Sequence, residues 1–217
     1  MKEKLFEQIQ SLTQEFLKCV EEEENVMKKY KRTDFETIQM KREILIIQEK
    51  MKAIKDKEFL SYFNLLDGPE LIEEFISVIS NIPDEEKYEI FLDVYTRSEY
   101  SFEVINDDFI EDVCNARPFE CREELYKKLD EISATDEIVI YRGMGSTSAP
   151  PAEALSWTLS VDVAKWFARR FLQKGGVYKA KIKKRDVVDY YNGRQEEEII
   201  VKRRKVYDLE FYLLEDI

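Results

Sequence analysis

Three short segments in the last third of the chain hold the residues best suited to chemistry. They are Ile138-Val-Ile-Tyr141-Arg142-Gly143, Ser156-Trp157-Thr158-Leu159-Ser160, and Gln195-Glu196-Glu197-Glu198 followed by Ile199-Ile200-Val201. Each joins a buried-strand pattern to a polar residue at its end, which is how a sheet gathers an arginine, a hydroxyl and a carboxylate around one pocket. The chain contains no histidine. That removes serine and cysteine mechanisms with an imidazole base, most zinc sites and histidine proton shuttles. Chemistry here must rest on carboxylates, arginine or lysine, hydroxyls and backbone groups. Cys19, Cys114 and Cys121 are odd in number, lack metal-ligand spacing and have no activating neighbour, so they read as reduced thiols.

The elements that must position these residues divide the chain in two. Residues 138–217 carry 15 Lys plus Arg against 11 Asp plus Glu, net +4, so a total of -12 leaves -16 for the first 137 residues. Gly143, Gly145, Gly175, Gly176 and Gly193 all follow residue 138, where turns between strands need them. The first part reads as helical. Leu5, Ile9, Leu12, Phe16 and Val20 make one apolar stripe ending near the Lys28 to Arg32 cluster. Thr33 or Asp34 can cap a second helix with Phe35, Ile38, Leu45, Ile47, Met51 and Ile54 as its apolar side, the two pairing as a hairpin. Asp67-Gly-Pro69 and Ile82-Pro83-Asp84 are helix starts, and further helices are predicted near 107–116 and 120–132. Glu21 to Glu24 reads as a solvated helix face.

From Ile138 the period changes. A short strand to Tyr141 is followed by a helix opened by Ser160 or Asp162 and stopped at Gly175-Gly176, with Trp166, Phe167 and Phe171 on its core face. Tyr178, Ala180 and Ile182 alternate with lysines as in a strand wet on one face, and Val187–Tyr191, Ile199–Val201 and Val206–Leu214 are further strands. The class is α+β, with a helical accessory or targeting region over 1–135 and a sheet-rich core over 136–217. At 217 residues and 44% hydrophobic content, the chain can bury one large core or two small ones. It has no apolar run of membrane-span length, and its start lacks an export signal, so a cytoplasmic location with no membrane partner is expected.

Tyr141-Arg142-Gly143 at a strand end, a Ser-x-Thr strand leading into Ala164-Lys-Trp-Phe167-Ala168, and Glu-x-Glu before an aliphatic strand together resemble the mono-ADP-ribosyltransferases of the arginine-serine-glutamate class, over about residues 138–214. The resemblance implies a mixed, mostly antiparallel two-sheet core and NAD as co-substrate, with no metal. It implies that Arg142 clamps the pyrophosphate, with Gly143, Thr158 and Phe167 also on the NAD side. Ser156 would hold the catalytic carboxylate by a hydrogen bond. The family's Ser-Thr-Ser motif is here Ser156-Trp157-Thr158, with Trp157 altering the outward-facing position. Glu198 directly precedes the aliphatic strand, so it takes the role of stabilising positive charge on the ribose, and Glu196 that of positioning or deprotonating the nucleophile. The alternative register, Gln195-x-Glu197, is the variant the family links to other acceptors. Tyr190, Tyr191, Asn192 and Arg194 fall in the acceptor-recognising loop.

Through its Glu-x-Glu, the resemblance implies protein arginine as first acceptor, with RNA or DNA as alternatives. The lysines and arginines of 179–185 and 202–205 would suit phosphate contacts, although they also read as a solvated strand face. The resemblance suits an intracellular microbial or viral effector, toxin or defence protein whose helical region takes a neutralising or targeting partner. An NAD glycohydrolase and a non-enzymatic helical interaction protein stay open beside it.

Overall fold

The computed structural model describes residues 17, 18, 20–22, 25, 35–98, 102–145, 148–170 and 175–214. Leu5, Ile9, Leu12, Phe16, Cys19, the Lys28 to Arg32 cluster, the Thr33 and Asp34 caps and Phe171 lie outside them. The chain falls into two compact units, residues 1–71 and 72–217. The unit holding the sheet thus begins well upstream of the expected cut at 135/136, because the helices after Ile72 pack with the strands.

In the first unit, α1 (Phe35–Asp56) and α2 (Phe59–Asn64) follow one another closely. Ile44 and Ala53 are buried on α1, while Ile38, Leu45 and Ile47 are exposed, so the apolar side is rotated from the expected stripe. Long aliphatic residues are spread around this helix, and their spacing leaves its phase open.

From the end of the first unit onward, the helix starts fall where the prolines place them. Gly68–Glu70 forms a short 3-10 turn ahead of α3 (Leu71–Val78), and Pro83 precedes α4 (Asp84–Arg97) with Asp84, Glu85 and Glu86 in its first turn. In α5 (Asp107–Asn115), Asn106 caps the helix by accepting from the Phe109 amide at 2.8 Å; α6 spans Phe119–Ile132. Among the described residues, no helix is long and apolar enough to cross a membrane.

Six strands follow, with one more helix between them: β1 (Glu137–Met144), β2 (Ser156–Thr158), α7 (Val161–Arg169), β3 (Gly176–Lys183), β4 (Val187–Tyr191), β5 (Glu198–Val201) and β6 (Tyr207–Leu213). They make one antiparallel sheet in the order β4-β5-β2-β1-β3-β6, where two sheets were expected. The seam explains the difference. β1 pairs with β3 from Glu137↔Lys183 to Met144↔Gly176 but meets β2 only at Tyr141↔Thr158, so two three-stranded halves are joined by one residue pair.

Ile138, Ile140, Trp157, Ile182 and Ile199 form a core with Leu125 and Leu129 of α6. Trp157 is 2% exposed and therefore points into this core, not outward as expected. Strand alternation sends Ser156 and Thr158 the other way. α7 crosses β1 so closely that a Cβ at Gly143 would lie 2.1 Å from the Ala164 carbonyl oxygen and 2.7 Å from the Ala168 nitrogen. Its buried residues are accordingly the small Ala164 and Ala168, and Trp166 is 58% exposed, against its expected place on the core face. Within this unit, polar contacts also tie α6 and the segment before α5 to the turns that follow β3 and β5. Lys184 Nζ donates to Asp130 Oδ1 (2.5 Å) and the Ser133 carbonyl (2.7 Å), and Arg203 donates to the carbonyls of Phe102 and Ile105.

Candidate functional site

The site lies where β1 and β2 part. Beyond Tyr141↔Thr158 the strand edges separate, and Arg142 Nη1 donates to the Ser156 carbonyl across the gap at 2.6 Å. A cavity of about 270 Å³ opens there, lined by Arg142, Gly143, Ser156, Thr158, Phe167, Glu196 and Glu198 together with Tyr141, Trp157, Gly145, Ser148 and Arg170. All three residues of the expected catalytic group and all four counted toward NAD thus share one cavity. The expected acceptor group does not join them: Tyr190, Tyr191, Asn192 and Arg194 are absent from its wall.

Glu198 is set by register. It pairs directly with Thr158 across β2 and β5, so its side chain shares a face with Thr158 and Ser156, while Trp157 and Ile199 take the opposite face. Tyr95 of α4 donates its hydroxyl to Glu198 Oε1 at 3.1 Å and is itself 4% exposed. Burial pushes the Glu198 carboxyl above its ordinary value; hydrogen bonds from Ser156 and Tyr95 pull it back, the Glu196 charge pushes it up and Arg194 pulls it down. Tyr95 is raised well above its ordinary value by burial and by the Glu198 charge. Among the described residues Glu198 forms no ion pair, so its charge rests on two neutral hydroxyls in a half-buried position.

Arg142 is half-buried, and burial lowers its guanidinium from the usual value while Tyr95 and Glu198 oppose that. It stays charged at any working pH. Its Nε is covered without a partner, but so are those of Arg117 and Arg203, so that atom alone does not mark a ligand site. What sets Arg142 apart is its place on the cavity wall beside a carboxylate.

The hydroxyl of Thr158 is already used. It donates to the Glu196 carbonyl at 2.6 Å and accepts from the Ser160 amide at 3.0 Å, fixing the turn before β5 and the start of α7. Glu196 stands in that turn between Gln195 (φ 59°) and Glu197 (φ 46°), two non-glycine residues in the left-handed region. Asn192 Oδ1 accepts from the Glu197 amide at 3.1 Å, and Arg194 donates to the Thr96 carbonyl at the end of α4. These two polar residues of the expected acceptor loop therefore hold the glutamate turn in shape. Tyr190 packs on the core, and Tyr191 lies close over Gly193. The Trp157 Nε1 is buried without a partner.

Sequence reasoning missed Tyr95. It sits 103 residues from Glu198 on a helix face with Tyr88 and Phe91, where its spacing marks it as core and nothing marks its hydroxyl. Among the described residues no three His, Cys, Asp or Glu side chains are grouped as a metal would need. Comparison with protein-family models, with characterised proteins and with solved structures gives no match.

Proposed function

We propose that this chain is a mono-ADP-ribosyltransferase that cleaves the nicotinamide glycosidic bond of NAD and moves ADP-ribose to a macromolecular acceptor, with protein arginine the first candidate. One observation carries the proposal: Arg142, the Ser156 hydroxyl and Glu198, spread over 57 positions of sequence, line a single cavity. At about 270 Å³ the cavity falls just under the ~300 Å³ lower bound of small-molecule sites, which suits the part of a dinucleotide that carries the scissile bond. The donor set fits that ligand, with a permanent guanidinium for phosphate oxygens and a carboxylate for a sugar that becomes cationic.

NAD supplies a labile bond whose rupture builds positive charge on the ribose. Glu198 stabilises that charge, and its burial makes the interaction stronger than it would be in water. Ser156 and Tyr95 hold the carboxylate in one orientation. Arg142, anchored through Nη1 to the Ser156 backbone, orients a phosphate. Glu196, held through its carbonyl by Thr158, presents its carboxylate at the cavity wall to take a proton from the incoming nucleophile. The protein would act in the cytoplasm as an effector or toxin, and its first helices would take a targeting or neutralising partner.

NAD labelled on the adenylate, incubated with the full chain in a cell lysate, tests this. A labelled macromolecule is the expected product, and its sensitivity to protease or nuclease identifies the acceptor as protein or nucleic acid. Free ADP-ribose alone would make the chain a hydrolase, and intact NAD would leave a binding protein.

A further inference from the structure

A second concave site lies at the far end of β5, about 13 Å along the strand from Glu198 at 3.3 Å per residue. Its cavity, about 180 Å³, is lined by Arg117, Arg122, Arg185 and Lys202, together with Tyr126 and with Glu111 as the one carboxylate on its wall. Four cations around one small concavity are unexpected in a chain of net charge -12. Glu111 offsets one of them, since both its oxygens accept from Lys202 Nζ at 2.8 Å, which leaves the three arginines as the surplus charge. Arg117 forms a fixed base: it is 9% exposed, stacked on the Tyr88 ring at 4.7 Å and bonded to the Val188 carbonyl. Arg122 and Arg185 are exposed, and the nearest carboxylate found for Arg185, that of Asp186, is 3.8 Å away. Arg122 has no carboxylate partner among the described residues.

We infer that this cavity is a phosphate-binding site, separate from the NAD cavity and independent of the function proposed above. The chemistry is that of forked guanidiniums meeting phosphate oxygens on a pre-ordered cation. Held apart from an anion, these like charges repel one another; a phosphate group among them removes that repulsion and accepts from at least two arginines. The phosphate can belong to a small phosphorylated ligand or to a nucleic-acid backbone, and the same test separates the two sources.

The probe is inorganic pyrophosphate, titrated calorimetrically into the full chain carrying Arg142→Ala so that the other cavity's arginine does not contribute. Binding is expected, and it should weaken as salt rises. Adding Arg122→Ala and Arg185→Ala, both surface changes, should weaken it at least about tenfold, the loss of one charge-assisted bond or more. In the unaltered chain, the arginine Nε–H resonances of Arg122 and Arg185 should shift with pyrophosphate, which covers the case of an Arg142 variant that folds poorly. Displacement of pyrophosphate by a single-stranded oligonucleotide but not by a mononucleotide would assign the phosphate to nucleic acid; the reverse would assign it to a small ligand. Absence of binding at millimolar pyrophosphate, or binding unchanged by the double substitution, would overturn the inference.

Discussion

Lys184, in the turn just past β3, and Glu198, the first residue of β5, have surroundings that differ in kind. Lys184 is buried with a carboxylate at 2.5 Å and a carbonyl at 2.7 Å, so its charge is matched where helix meets sheet. Glu198 has two hydroxyls, no ion pair among the described residues, and a second glutamate whose charge acts on it. The first arrangement holds the fold together. The second keeps a charged group poorly solvated and opposes folding, as sites built for chemistry commonly do. The same contrast separates Arg203, closed onto two carbonyls, from Arg142, which keeps a face on a cavity.

Four substitutions put the contrast at risk. Exchanging Gly143 for alanine should have the greatest structural effect, since its Cβ meets helix backbone and no flexible side chain can yield. A loss of about 1–3 kcal/mol is expected, seen as a thermal midpoint lower by roughly 2–4 °C per kcal/mol. For Arg142→Lys, KM for NAD should rise about ten- to hundredfold, the equivalent of one charge-assisted bond, with kcat changed less. Equal KM values would remove the arginine from the NAD side.

Tyr95→Phe should cost roughly five- to tenfold in kcat, the loss of one hydrogen bond to a charged group partly covered by Ser156. It also carries a signature that mere packing would not. The Tyr95 hydroxyl lowers the Glu198 carboxyl, so its removal should move the acid limb of the kcat–pH profile to higher pH. In the parent chain that limb should already be shifted upward from the ordinary carboxylate value. The smallest effect belongs to Arg194→Ala, which unties the glutamate turn from Thr96 and should lower kcat by less than about threefold if one surface hydrogen bond is all it supplies.

Much of the sheet was legible in the sequence because alternation and turn glycines report directly on strands: Val187–Tyr191 matched to the residue, and β5 starts at the glutamate chosen as catalytic. The three separated site segments were likewise readable as polar residues joined to strand patterns, although β1 runs past Arg142 to Met144. Tyr95 was not, because a hydroxyl on an apolar helix face has no periodic signature and its partner lies in a distant segment. The turn-holding bonds of Asn192 and Arg194 were not legible for a related reason: a polar loop residue looks the same in sequence whether it meets a ligand or shapes its own turn. Trp157 inverted its expected direction once the strand register was set by Ser156 and Thr158 facing the cavity.

The Glu198 carboxyl also links activity to stability. Its value is raised in the folded state, so the folded protein holds that proton more tightly than the unfolded chain; stability from this group is full at low pH and declines as pH rises through the raised value. Neutralising it should therefore relieve the fold while removing the chemistry. The decisive measurement is nicotinamide release from NAD at neutral pH by the parent chain and by Glu198→Gln, with thermal midpoints recorded on the same samples. Turnover at least roughly a hundredfold lower in the variant, at a midpoint no lower than the parent's, is the expected result. Equal release by both proteins, or none from the parent, would contradict it.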